Sequence, residues 1–191
     1  MKQAFTLSFL LLLYLYTAYS QNVPKLKVIK KDVIKANHSK YDVTYWSMGG
    51  LDLINHNFNL PKIKNEDQIL FDQESRNVRV DRDAIADAVA RVITQNKSKI
   101  NKSEFKRGMN IGMRFFVDSN NFGLLFIEFY VKVDQYTDLH FFKELEDGLK
   151  SEPVGKLMRI TGNIIPRIKA YGYLTSGTTI RYDMLKDKVE L

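Results

Sequence analysis

Two alternating runs around an Asn/Gly-rich turn constrain this chain more than any other stretch. Met109, Ile111, Met113, Phe115 and Val117 are apolar at every second position, with Asn110, Arg114 and Asp118 between them. After Ser119-Asn120-Asn121-Phe122-Gly123, a second run places Leu125, Ile127, Phe129, Val131 and Val133 on one face, opposite Glu128 and Lys132. Side chains alternate across a strand, so this spelling predicts a β-hairpin with one core-facing side. Asp138 follows as a helix cap, and Phe142, Leu145 and Leu149 make an apolar stripe at helical spacing over 138–152. A hairpin and a helix, each with one apolar face, must cover each other.

The flanking segments extend this pattern. Leu26–Ala36 reads as a strand and Tyr41–Met48 as a second, with a turn at Asn37-His38-Ser39 and a stop at Gly49-Gly50. Leu51–Ser75 is interrupted by Asn55, Asn57, Asn59 and Pro61. It reads as an irregular excursion with one short strand near Ile69–Phe71. Asp81 or Asp83 caps a helix that runs to Asn96, with Ile85, Val89, Val92 and Ile93 as its stripe and alanines allowing close approach. Lys99–Arg107 reads as a basic linker. Leu157–Thr161 reads as a short strand, and Ile168–Leu174 and Thr178–Leu185 as two more joined at Ser176-Gly177. The order ββ, α, ββ, α, ββ predicts an α+β fold: an antiparallel sheet with two main helices on one face. No repeat or low-complexity linker divides the chain, so a single domain over 21–191 is expected.

The first twenty residues carry an address. Lys2 precedes a nearly unbroken apolar run from Phe9 to Leu15, and Ala18-Tyr19-Ser20 puts small residues where signal peptidase cuts before Gln21. That is the grammar of a secretory signal peptide. The run is shorter than the roughly 20 residues that span a bilayer, so no integral membrane protein is expected after cleavage. The chain contains no cysteine, which excludes disulfides, a thiol nucleophile and a lipid-modified cysteine. An exported, disulfide-free chain points to the periplasm or surface of a Gram-negative bacterium. In that setting the sequons at Asn37, Asn96 and Asn101 are chance.

Resemblance adds to this reading. Gly108, Gly112, Phe115, Val117, Asp118 and Gly123, set in a helix–hairpin–helix–strand order over 83–185, resemble the TonB C-terminal domain. The Trp-x-Pro that follows the second helix in that family is absent here, with only Glu152-Pro153 nearby, as are the membrane anchor and Pro-rich spacer. The resemblance therefore implies the core topology and not energy transduction. The whole chain also resembles small exported proteins of unknown function from Bacteroides-type bacteria, a likeness that brings no activity with it.

Catalytic and metal motifs are missing. The three histidines, His38, His56 and His140, have no second ligand at helical or strand spacing. There is no His-Glu-x-x-His, calcium loop, P-loop or Gly-x-Ser-x-Gly, so no cofactor is expected. Asp81, Asp83 and Asp87 are explained by a helix start, and Glu144, Glu146 and Asp147 read as solvated acids of the second helix. Three binding surfaces remain. Phe116, Phe126 and Tyr130 give the hairpin a second apolar face, which either the 51–75 excursion covers or a partner, an envelope protein, docks on. Trp46 with Tyr45, Asp42 and Asp52 suggests a glycan platform. Lys27, Lys30, Lys31 and Lys35, within a formal net charge of +7 that falls to about +6 when Lys2 leaves, suit an anionic lipid or glycan. Nucleic acid is excluded by compartment and by the absence of a recognition motif. The reading is an exported, non-catalytic binding domain of the cell envelope, with a glycan-binding or glycan-active protein as the alternative.

Overall fold

The computed structural model describes residues 26–36, 39–55, 58–189 and 191. The proposed signal peptide, His38 and His56 lie outside them. Three antiparallel strands open the fold: β1 (Val28–Ala36), β2 (Ser39–Trp46) and β3 (Gly50–Asn55). Gly49, at φ 73°, turns the chain between β2 and β3. Tyr41, Val43, Leu51 and Leu53 point to the core and are buried. The expected N-terminal hairpin is thus a three-stranded meander.

The excursion expected over 51–75 contains regular structure at both ends. Its start is β3, which buries Leu51, Leu53 and Asn55 at alternate positions. Its end is a helix, α1 (Gln68–Ser75), where a strand at Ile69–Phe71 is expected. The Ile-Leu-Phe run looks like a buried strand. Only Phe71 of the three is buried, however, and Ser75 one turn later is buried beside it. Next come β4 (Val78–Val80) and the long helix α2 (Arg82–Gln95). Asp81 is its cap: Oδ1 accepts the amides of Asp83 and Ala84, both at 3.1 Å.

The basic linker also folds. Helix α3 (Lys102–Gly108) drives Phe105 into the core, edge-on to Tyr136 and Tyr182. One apolar residue among lysines leaves no stripe to read. The predicted hairpin is then found as β5 (Asn110–Asp118) and β6 (Leu124–Lys132), with Gly112 opposite Tyr130 and Phe115 opposite Ile127. A register shift between Phe116 and Val117 sets Leu124, not Leu125, opposite Val117. Helix α4 (Phe141–Lys150) follows with His140 in the cap position; Asp138, expected as the cap, lies two residues earlier and accepts the His140 amide at 2.9 Å.

After α4 come α5 (Val154–Leu157), β7 (Met158–Ile160), α6 (Pro166–Lys169) and β8 (Tyr173–Arg181). The two strands expected over 168–185 are one. Pro166 starts a helical turn, and Ser176-Gly177 lies inside β8 opposite Phe115 and Arg114. A Cβ on Gly177 would stand 3.4 Å from the Met113 carbonyl, so glycine marks a close strand approach rather than a turn. The TonB-like order is interrupted by α3 ahead of the hairpin and by α5, β7 and α6 ahead of the last strand.

The main sheet has six antiparallel strands in the order β1-β2-β3-β6-β5-β8, and β4 pairs with β7 in a separate ribbon. Helices α2 and α4 pack against each other and over Ile111, Phe115, Ile127 and Phe129 on one sheet face. The expected architecture of an antiparallel sheet with two main helices on one face therefore holds. Helix α4 touches α2 where Gly148 meets Val92, and a Cβ at 148 would clash with the Val92 Cγ2 methyl. Gly148→Ala is expected to destabilise the protein by about 1–3 kcal/mol despite alanine's better helix propensity. Val92→Ala in the same chain should recover part of that loss. Urea unfolding of the four members of this cycle measures both.

Candidate outer-face binding site

The face away from α2 and α4 collects the remaining polar and aromatic side chains. Alternation puts Trp46 of β2, Asp52 of β3, Tyr130 of β6 and Arg114 of β5 on it together. The strand register brings them side by side, since Asp52 pairs with Tyr130, Tyr130 with Gly112, and Arg114 with Glu128. Gly112 allows close contact: a Cβ there would stand 3.1 Å from Tyr130 Cβ.

Hydrogen bonds fix the group. Trp46 Nε1 donates to Asp52 Oδ2 at 2.7 Å. Arg114 Nη1 donates to Glu128 Oε2 at 3.0 Å, and its guanidinium lies 5.5 Å from the Tyr130 ring centroid. Burial raises the Asp52 carboxyl above its ordinary range, against the Trp46 indole and the Arg114 charge, which pull it down. Burial, and then the hydrogen bond to the Glu128 carboxylate, push the Tyr130 phenol up, so it stays protonated. The result is a half-buried platform of one indole, one phenol, two carboxylates and one guanidinium. It offers flat apolar area and directed polar groups, which is the chemistry of a recognition surface.

The other half of this face is covered by the chain itself. Phe116 stacks on Phe126 at 4.2 Å between centroids, and Phe58 stacks on Phe126 at 4.8 Å. Phe126 is 3% exposed. Residues 58–75 continue over this end, where Tyr173 donates to the Pro61 carbonyl and Phe71 packs edge-on to Tyr173. Of the three apolar residues singled out from the hairpin, Phe126 is interior, Phe116 is half-buried in the stack, and Tyr130 belongs to the open platform.

The other sequence candidates separate. Tyr45 turns to the helix side, with Lys30 Nζ 5.5 Å from its ring centroid. Asp42 shares the face of Trp46 but sits opposite Ile54, two rungs away. Lys30 faces the helix side and pairs with Asp32 at 2.6 Å, whereas Lys31 and Lys35 take the opposite side of β1. The four lysines thus do not form one patch. Arg114 and Glu128 were legible only as polar positions of the hairpin; their pairing with each other follows from its register.

Glu146 corrects a sequence expectation. It reads as a solvated acid, yet it is 1% exposed. Positions 142, 145, 146 and 149 follow the spacing of a wide helical stripe, so the helix carries Glu146 inward with its apolar neighbours. There its Oε2 accepts the Tyr41 hydroxyl and Asn55 Nδ2, the latter at 3.1 Å, while Lys150 Nζ lies 2.8 Å from Oε1. This network ties α4 to β2 and β3. Enclosed, with two hydrogen bonds on Oε2 and an ion pair at Oε1, it is a structural junction. Among the described residues no group of three or more His, Asp or Glu side chains is placed to hold a metal.

No protein-family model matches this chain, and no curated protein does. Among solved structures it is similar to a DUF5043 family protein from Bacteroides uniformis, with 15% identity and a TM-score of 0.49, over 84% of this chain and 92% of that one. Among the described residues, no helix is long and apolar enough to cross a membrane.

His140 joins α4 to the sheet edge. Its Nδ1 lies 2.7 Å from Asp138 Oδ1 and its Nε2 2.9 Å from the Lys35 carbonyl, so the doubly protonated ring donates to both. The Asp138 carboxylate, then the Lys35 carbonyl, raise the imidazole above 6.5. Burial raises Asp138, but the His140 amide and ring outweigh it and hold the carboxyl below 3.8. The histidine contribution is complete below 6.5 and is lost as pH rises through the raised value. The carboxylate contribution is complete above 3.8 and is lost as pH falls through the lowered one. The pair therefore stabilises most between these pH values. NMR titration should place the His140 midpoint above 6.5, and Asp138→Asn should move it down.

Proposed function

We propose that this protein is an exported, non-catalytic binding protein of the bacterial cell envelope, folded as a single domain, that takes its ligand on the outer sheet face. The observation that carries this reading is the Trp46–Asp52–Tyr130–Arg114 platform, assembled from four strands and left beside a half-face that the chain covers itself. Its carboxylates are engaged by an indole and a guanidinium, an arrangement for holding side chains in place rather than for moving protons. The export signal in the sequence supports an envelope location, and the ligand in this reading is another envelope protein.

A saccharide is the second reading, and the Trp46–Asp52 bond favours it. An indole fixed edge-on by a carboxylate offers a flat ring for the apolar face of a sugar, with Arg114 as a neighbouring donor and the Tyr130 ring beside it. Trp46 is the chain's single tryptophan, so intrinsic fluorescence reports the platform without ambiguity.

The test places a photocrosslinking side chain at Thr44, on the same face, in cells of the source bacterium, with Ile69 of α1 as the control position. A discrete protein adduct from 44 and none from 69, abolished by Tyr130→Ser with the fold retained, is the expected result. Phe126→Ser should instead lose about 3–5 kcal/mol of stability, because it empties the stack. If no protein adduct forms but envelope oligosaccharides shift Trp46 emission saturably, the saccharide reading holds. Neither response would contradict both.

A further inference from the structure

The ribbon formed by β4 and β7 sets Arg79 directly opposite Arg159. Directly opposed residues of an antiparallel pair bring their side chains within contact range, and like charges there are destabilising. Both arginines are exposed, and neither has a carboxylate partner among the described residues. Nearby acids are engaged elsewhere. Glu152 is held by Arg91 and, at 3.0 Å, by Lys156. The Asp81 carboxylate accepts the first amides of α2. Arg82 adds a further cation whose Nε donates to the Thr178 hydroxyl at 3.2 Å.

This uncompensated charge borders a groove. A cleft of about 450 Å³ is lined by Arg79, Arg82, Lys156 and Arg159 with Asp81. An adjoining cleft of about 610 Å³ is lined by Arg159 and Lys169, by Asn121 and Asn163, and by the accessible apolar side chains of Phe122, Val154, Ile160 and Ile164. Gly155, Met158 and Arg159 line both clefts, so the two adjoin at β7. At the far lip Phe122 is held at φ 61°, a left-handed conformation rare for an aromatic residue. Each cleft is within the size range of small-molecule sites, the first cationic and the second bordered by cations with an apolar stretch beyond them.

We propose that this groove binds an amphiphilic anion. The headgroup, a phosphate monoester or a carboxylate, lies between Arg79 and Arg159, whose planar forks match either group with paired hydrogen bonds. The apolar chain lies along Phe122, Val154, Ile160 and Ile164, the apolar side chains of the cleft that keep accessible surface. The ligand supplies the negative charge that the ribbon lacks, so binding removes a repulsion as well as adding contacts. This site is separate from the outer sheet face and stands whether or not that face binds a partner.

Calorimetric titration of the whole secreted chain with decyl phosphate, decanoate, decanol and inorganic phosphate, each below its micelle concentration, tests the proposal. Saturable one-to-one binding of decyl phosphate or decanoate is expected, and the stronger of the two identifies the headgroup. Decanol and inorganic phosphate should each bind at least about ten-fold more weakly, the loss of one charge-assisted contact or of the apolar burial. Arg79→Gln and Arg159→Gln should each weaken decyl-anion binding by about ten-fold. In the absence of ligand each should leave Tm unchanged or raise it, because each removes the like-charge pair. Equal affinity for decanol, no saturable binding of either decyl anion, or unaltered binding by both variants would overturn the proposal.

Discussion

The pairing of β3 with β6 is the contact on which the rest of the fold depends. It is a short seam, from Gly50 opposite Lys132 to Leu53 opposite Phe129. On one side lies the β1-β2-β3 meander, whose internal contacts are local. On the other lie β6, β5 and β8, with α2 and α4 packed over them. Without the seam, β3 and β6 would both become edge strands, with Leu53 and Phe129 at the break. A second tie crosses at the same place from the helix layer, where Glu146 of α4 accepts hydrogen bonds from Tyr41 of β2 and Asn55 of β3. Removing one partner of such an enclosed carboxylate leaves a charge under-solvated, which costs far more than an exposed pair would.

The seam also makes the outer face a site. Trp46 and Asp52 belong to the meander, and Tyr130 and Arg114 belong to the hairpin. They adjoin only because Asp52 is set opposite Tyr130. A shift of one residue in that register would send Asp52 into the core and Leu51 or Leu53 to solvent. Burial of the two leucines therefore holds the polar group in place on the reverse side. The covered half of the same face depends on Phe58, which follows β3 directly and lies against Phe126.

What could be read from the chain follows from how far each element's determinants lie apart. The central hairpin, α2 and α4 were legible because each carries its periodicity within its own segment, with a turn in the hairpin and the Asp81 cap at α2. Strand β3 was not, because Leu51, Leu53 and Asn55 make a short alternation ending in an amide whose partner, Glu146, lies 91 positions away. The helix α3 was hidden by having only Phe105 to bury, and β8 by a glycine that serves strand approach. In the site, Trp46 and its nearby acids stood out by composition, but the selection among them was decided by register: Asp52 over Asp42, and Tyr130 over Tyr45. Phe126 looked available because its cover comes from the stretch whose Asn and Pro residues conceal its path. The Arg79–Arg159 apposition was invisible for the same reason, since neither three-residue strand announces its partner.

The most direct test of this account is the indole proton of Trp46, a single resonance in the nitrogen–proton spectrum of the labelled protein. The account predicts slow exchange with solvent, a change in shift on Asp52→Asn, and a pH titration of that shift with a midpoint above 3.8, following the half-buried Asp52 carboxyl. It also predicts that Leu53→Asp, which breaks the seam, abolishes that titration. A rapidly exchanging indole proton, indifferent to Asp52 and without a titration, would contradict the assembly of the platform across the seam.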